Sequence, residues 1–345
     1  MLNDMFVFDN VVHMFDNTTE NVINPIAKNN LERMHKRYSQ VEAPEHADFT
    51  GHKTTVTQAL RTLFDESCTD MAQAQTVPLF GFWREGFAPA RLQYELKEAR
   101  PDRIVFCGGV DPIFHGPKGV LTELERQVEE WGAVSMKFYK AHGPRTSWSI
   151  DDREVAYPMW EKCLELGITN VQFHCGVPLG TERVEDLRPN DVQRAAADFP
   201  ELQFVLHHLG DPYVDETIGI AARFSNVWLA LSSTVVNLWP VAPWTAYERL
   251  GKALLQVGPD RLLWGSEAFI WPDIQRLLDI FSAMEMPEEL QDRYGYPALT
   301  DSVKRKILGL NQIRLLNLEP EEVISRIHPE LSPEALARVA GRGAA

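Results

Sequence analysis

Residues Gln203–Pro212 read QFVLHHLGDP. A short apolar, β-branched run stops at two histidines, and a glycine, an acid and a proline follow within four residues. An apolar run of this length closed by turn-forming residues is the pattern of a strand buried on both faces. Its polar residues gather at the C-terminal end. The pattern recurs on either side. Toward the N-terminus come Asn170–His174 (NVQFH), Val134–Tyr139 (VSMKFY), Arg103–Val110 (RIVFCGGV), Ala74–Phe80 (AQTVPLF) and Met5–Phe8 (MFVF). Toward the C-terminus come Val227–Leu231 (VWLAL) and Leu262–Gly265 (LLWG). Helical patterns lie between them, among them Leu121–Trp131, Glu154–Leu166 and Val214–Phe224. A strand recurs roughly every 30 residues, the length of one βα unit.

Eight parallel strands alternating with helices predict a (β/α)8 TIM barrel. The competing open, doubly wound sheet would carry a glycine-rich phosphate loop after its first strand, and none is present. One domain over 1–345 is expected, with the barrel core at about 5–318. The long stretch after the first strand holds His35, His46 and His52 and reads as an excursion over the barrel mouth. Asp301–Leu316 reads as the last barrel helix, and SPEALARVAGR at the end as a short helical tail.

Bulk properties narrow the function. The 345 residues are 44% hydrophobic and 24% charged, enough to bury a full core. A net charge of -15 argues against nucleic-acid binding, which needs basic patches. Cys68, Cys107, Cys163 and Cys175 form no C-x-x-C pair, which fits a reducing compartment rather than a disulfide framework. The N-terminus has no basic segment followed by an apolar one, and no stretch reaches the ~18 apolar residues of a membrane span. The expectation is a cytoplasmic protein with a small-molecule substrate and no membrane partner.

Side chains at the C-terminal strand ends of a barrel converge on one mouth. There the sequence places Asp9 and His13, Lys137, His174, His207 and His208, and Ser266 with Glu267. Imidazoles and a carboxylate aimed at one point suit zinc, manganese or iron(II). His207 reads as structural, because alternation along a strand sends adjacent side chains to opposite faces. Lys137 is expected to pair with an acid or anchor a substrate anion. Trp83 and Arg84, after the second strand, suit a planar carboxylate-bearing substrate. His142, Arg145 and Trp148, after the fourth, are further candidates to line the mouth.

The segments GGVDP (Gly108–Pro112), FHCG (Phe173–Gly176), HLGDP (His208–Pro212), WGSEA (Trp264–Ala268) and ILGLNQIRLL (Ile307–Leu316) follow in an informative order and spacing. In them the chain resembles the amidohydrolase-related family, which includes aminocarboxymuconate-semialdehyde decarboxylase and resorcylate decarboxylases. The resemblance implies one divalent metal, zinc first and manganese or iron next, held by His13, His174 and Glu267. It implies His208 as the catalytic acid–base, with Asp211 at i+3 orienting it, and a homodimer. The chain departs from the family in having Val11 where the first ligand stands, and Glu267 where the fourth is usually Asp.

Three functions follow. The first is a metal-dependent hydrolase of a small organic, carboxylate-bearing or aromatic substrate, with Glu267 either holding the metal or taking the proton from water. The second is a non-oxidative decarboxylase or hydratase of an aromatic or unsaturated acid, with His208 protonating carbon. The third is a non-catalytic ligand-binding barrel, supported by Val11.

Overall fold

The computed structural model describes residues 1–41, 51–143, 146–270 and 273–342. Eight parallel strands form one sheet in chain order. They are β1 (Phe8–Val12), β2 (Met71–Gln75), β3 (Ile104–Gly109), β4 (Ala133–Tyr139), β5 (Asn170–His174), β6 (Gln203–His207), β7 (Val227–Ala230) and β8 (Leu262–Leu263). The segment after β8 returns to β1: His13 N–H donates to Ala268 O (2.6 Å) and Glu267 N–H to Val11 O (3.1 Å). The sheet is thus a nearly closed barrel with helices around it. Each helix starts where local chemistry permits. Asp111 accepts from Ile113 N–H with Pro112 in the first turn; the helical segment Pro112–Glu129 that follows breaks at Gly116 (φ +70°), and its longer second part buries Val120 and Leu124.

Six strands lie where the apolar runs put them, within a few residues, and two are displaced. The run Met5–Phe8 precedes most of β1, because its hydrophobicity reflects burial under the C-terminal tail. Phe6 and Phe8 pack with Met71, Leu310, Ile313 and Ile324. The second strand is Met71–Gln75 rather than Ala74–Phe80. Its Gln73 and Gln75 are fully buried inside the barrel, so a polar interior hid it from a reading based on apolar runs.

Asp301–Leu316 is helical as expected, with a widened turn at Lys306–Leu310. It also closes the N-terminal end of the barrel. Asn311 Nδ2 donates to Leu262 O (2.8 Å) and Gln312 Nε2 to Gln73 Oε1 (3.4 Å). The tail helix is Pro333–Val339, capped by Ser332. The insertion after β1 contains the helix Pro25–Val41. Its start reaches the upper rim, where Asn24 and Ile26 line a groove. His46 and Arg145 lie outside the described residues, and no helix among the described residues is long and apolar enough to cross a membrane.

The tail is also tied down by charge. His328 Nε2 lies 2.6 Å from Oδ1 of the buried Asp70, which precedes β2. The hydrogen bond to Asp70 holds the His328 pKa above its usual value. A raised imidazole pKa stabilises the fold fully below its unfolded value and loses that contribution as pH rises through the folded value. The site is partly exposed, so screening reduces the effect to about 0.5 kcal/mol. Urea midpoints at pH 6 and pH 8.5 should therefore fall more for the parent chain than for His328→Ala. Equal falls would show that the pair does not titrate in this window.

Candidate active site

The middle of the barrel is polar, which is unusual for a packed barrel core. Gln73 Nε2 donates to Asn10 Oδ1 (2.8 Å), Gln75 Nε2 to Gln172 Oε1 (2.6 Å) and Ser135 Oγ to Gln73 Oε1 (3.0 Å). His207 joins this network through Nε2, 2.8 Å from Gln172 Oε1. The expectation that His207 turns away from His208 therefore fails. β6 ends at His207, and His208 takes a left-handed backbone (φ +60°) that breaks the alternation. The two rings lie 5.6 Å apart.

Above this layer His13, Tyr139, His174, His208, Ser233 and Glu267 line a cavity of about 40 Å3. The partners of His13 and His174 fix their tautomers. His13 Nδ1 faces Gln75 O at 2.8 Å and must donate, so Nε2 keeps its lone pair, 3.7 Å from Glu267 Oε2. His174 Nε2 donates to Val177 O (2.9 Å), so its Nδ1 accepts from His208 Nε2 (3.1 Å). His208 Nδ1 lies 3.3 Å from both Ser232 O and Ser232 Oγ and 3.6 Å from Glu267 Oε1. His207 Nδ1 and Glu267 Oε1 are buried without a hydrogen-bond partner. Donor atoms of His207, His208 and Glu267 lie within 4.8 Å of one another.

Burial sets the charges. It pushes His13 and His174 down to about 3 and His207 and His208 well below the usual imidazole value, so all four are neutral. It raises Glu267 to about 7 and lowers Lys137 to about 7. Neutral imidazole lone pairs around a carboxylate with an unpartnered oxygen are the donor chemistry of a divalent cation site. The residues fit such an ion. Val11 takes no part: it is buried, and its side chain packs where a Cβ on Gly265 would stand.

Several expected residues are elsewhere. Asp211 is not beside the His208 ring. His208, Leu209 and Gly210 all have positive φ, and the carboxylate emerges to pair with Arg249 at 2.8 Å. Arg84 is exposed in an outer groove with Asp16, Glu20 and Lys53. Trp83 is buried behind the cavity wall, stacked on Phe87 at 4.5 Å. Both follow a turn that begins at Pro78, and the cavity side of that turn is filled by Val77 and Phe87. Lys137 is buried on β4 with its ammonium 5.7 Å from the Tyr139 ring, and among the described residues it has no hydrogen bond or ion pair. His142 lies in the rim groove, Nδ1 at 3.4 Å from Asp111 Oδ2. Trp148 is mostly buried and donates to Tyr139 O.

Two contributors were not anticipated. Ser232 lies two residues past β7, and the polar run Ser232–Thr234 at that strand end was the available signal. Tyr139 ends β4 and stacks on His174 (4.5 Å, 12°).

The profile of the amidohydrolase family matches residues 40–318. Protein fluG of Emericella nidulans is 31% identical over 106 residues, which is 30% of this chain, and the match spans 12% of that protein. Among solved structures, an uncharacterized TIM-barrel protein from Bordetella bronchiseptica superposes with a TM-score of 0.64 at 17% identity, covering 91% of this chain and 99% of that one. A probable 2-pyrone-4,6-dicarboxylic acid hydrolase from Acinetobacter baumannii gives 0.54 at 14% identity (91% and 100% covered). The 5-carboxyvanillate decarboxylase LigW from Sphingomonas paucimobilis gives 0.57 at 14% (91% and 99%). At these identities the structures bear on the fold alone. The family profile covers most of the chain, and with the barrel and its strand-end histidines already in place, the chain belongs to the amidohydrolase family.

Proposed function

We propose that the chain is a metal-dependent hydrolase of a small organic substrate, with one divalent cation, zinc in the first instance, held by Glu267, His13 and His207. One observation supports this most: the donor atoms of His207, His208 and Glu267 lie within 4.8 Å of one another, Glu267 Oε1 is buried without a hydrogen-bond partner, and His13 Nε2 stands 3.7 Å from Glu267 Oε2. Bound there, such an ion lowers the pKa of water and polarises the oxygen of a scissile group. The remaining work falls to side chains. His208 accepts a proton at Nδ1 and passes its Nε2 proton to His174 Nδ1, 3.1 Å away. The partner that orients His208 is thus His174 rather than Asp211. Lys137, one step down β4 from Tyr139, supplies positive charge below the site when protonated.

A decarboxylase reading has one observation of its own. A carboxyl that keeps its proton up to about pH 7 suits protonation of carbon after loss of CO2. Release of CO2 from hydroxybenzoates, set against hydrolysis of esters and lactones, separates the two.

The first test is metal content by elemental mass spectrometry on the parent chain and single variants. About one ion per chain is expected, lost in His13→Ala and His207→Ala. His174→Asn should keep the ion and lower kcat roughly a hundredfold, the low end for a proton-transfer group. A parent chain that takes up none of zinc, manganese or iron(II) would overturn the reading. Loss of the ion in His174→Asn would return that residue to the ligand set.

A further inference from the structure

Strand pairing between β6 and β7 ends at His207 and Ala230. His208 and Ser232 therefore stand on two separate loops, and His208, Leu209 and Ser233 all have positive φ. Backbone of that kind keeps its shape only where its surroundings enforce it. The His208 ring nevertheless holds one setting, with Nε2 3.1 Å from His174 Nδ1 and Nδ1 3.3 Å from Ser232 O and Oγ. That setting requires a fixed spacing between the two loops.

Arg249 spans both loops. It projects from the helix Pro243–Gln256, which is anchored by the buried Ala246, Leu250 and Ala253. Nη2 donates to Asp211 Oδ1 (2.8 Å) on the loop after β6, and Nη1 to Thr234 O (3.0 Å) on the loop after β7. Each of these residues is tied back to the site by its own amide. Asp211 N–H donates to His208 O (3.1 Å), and Thr234 N–H to Ser232 O (2.7 Å). Ser232 O in turn faces His208 Nδ1, which closes a ring of polar contacts through His208, Asp211, Arg249, Thr234 and Ser232. The two terminal nitrogens of a planar guanidinium fix the span between two acceptors, which one ammonium on a flexible stem does not. Stability alone is a poor reason for this pair. The guanidinium is 19% and the carboxylate 35% exposed, and partly exposed ion pairs stabilise a fold little.

We propose that Arg249 is a positioning residue for proton transfer: it sets the spacing of the loops after β6 and β7, and through Asp211 and Thr234 it sets the orientation of the His208 ring. It touches no reacting atom. Asp211 thus serves His208 through Arg249 and the backbone rather than by contact with the imidazole. This rests on the enzyme reading above, in which His208 moves the proton, but the orientation of the ring is measurable without turnover.

The test is Arg249→Ala in the full chain, with guanidinium added back. Alanine preserves the helix, and a groove lined by Asp211, Glu248, Arg249 and Tyr296 opens to solvent there, so the added ion can reach both acceptors. Ring-nitrogen NMR of the histidines is the first readout. The His174 and His208 signals should shift in Arg249→Ala, while those of His328, bonded to Asp70 at the other end of the barrel, keep their parental positions. Millimolar guanidinium chloride, far below denaturing concentrations, should return the shifted signals. Urea, of the same shape but uncharged, should not. On p-nitrophenyl acetate, kcat should fall about tenfold to a hundredfold with KM little changed, the usual cost of a small misplacement, and recover with guanidinium. Arg249→Lys, which reaches one acceptor but not both, should show the same shift and regain little activity. Unmoved His208 signals in both variants would overturn the proposal. So would a shift that guanidinium does not reverse or that His328 shares, because it would mark a general loosening of the fold. Failure of the hydrolase reading looks different: the signals would still shift and return, but the parent chain itself would leave the ester intact.

Discussion

Glu267→Gln is expected to lower kcat by at least about a thousandfold while leaving the thermal midpoint within a few degrees of the parent. The substitution keeps the shape of the side chain and removes only its charge and proton. General acid–base or ligand roles of a carboxylate are each worth about 10^2–10^4 in rate. Oε1 has no hydrogen-bond partner, the nearest imidazole nitrogens are 3.6 and 3.7 Å away, and the contacts with Ser232 and Ser233 are ones a Gln side chain can also make. Metal content should fall with activity. Glu267 also has a left-handed backbone (φ +61°), which costs a non-glycine residue about 1–2 kcal/mol. Its amide donates to Val11 O and its carbonyl accepts from Ile270 N–H, so the surrounding chain enforces that conformation. A strained residue with an unpartnered buried carboxyl oxygen is what the proposed role leads one to expect. Glu267→Gly, free of that strain, should therefore fold at least as firmly as Glu267→Gln and be equally inactive. A Glu267→Gln chain with parental kcat would remove the carboxylate from the mechanism.

Much of this site was legible because barrel chemistry sits at strand ends, and the strand ends of β5 and β6 were visible as apolar runs stopping at His174, His207 and His208. The same logic placed Glu267 after β8. What was illegible had physical causes. β2 was misplaced because its inward side chains are glutamines, so the signal of burial was polar. The orientation of His207 depends on where β6 ends, and a single left-handed residue at His208 is not written in a period-two pattern. Asp211 was paired with His208 through the family resemblance, but three successive positive φ values carry the carboxylate outward to Arg249. Trp83 and Arg84 illustrate the same limit: a loop residue's direction depends on the turn before it. The groove over the mouth combines loops from five βα units, and no local stretch of sequence encodes such an assembly.

The largest loss of stability should come from Gly176→Ala, in the segment FHCG. Gly176 has φ +62°, and a Cβ there would lie 2.1 Å from Asp211 O and 2.5 Å from Gly210 C. Both atoms are backbone, so no side chain can rotate away. The FHCG and HLGDP segments therefore meet face to face, and Val177 N–H donates to Asp211 O (2.8 Å) across the junction. An alanine must push apart the loops that position His174 and His208. Left-handed strain alone costs about 1–2 kcal/mol, and the backbone overlap should bring the total to about 4 kcal/mol or more, at the extreme of single substitutions. Gly167→Ala provides the calibration: Gly167 has φ +78°, but nothing lies within 4 Å of its Cβ position. Urea denaturation of both variants separates strain from contact. A deficit in Gly176→Ala at least twice that of Gly167→Ala, with loss of the His174–His208 hydrogen bond in imidazole NMR, is the expected result. Equal deficits would mean that the two loops move apart freely, and that the close packing of FHCG on HLGDP does not hold the imidazole pair in place.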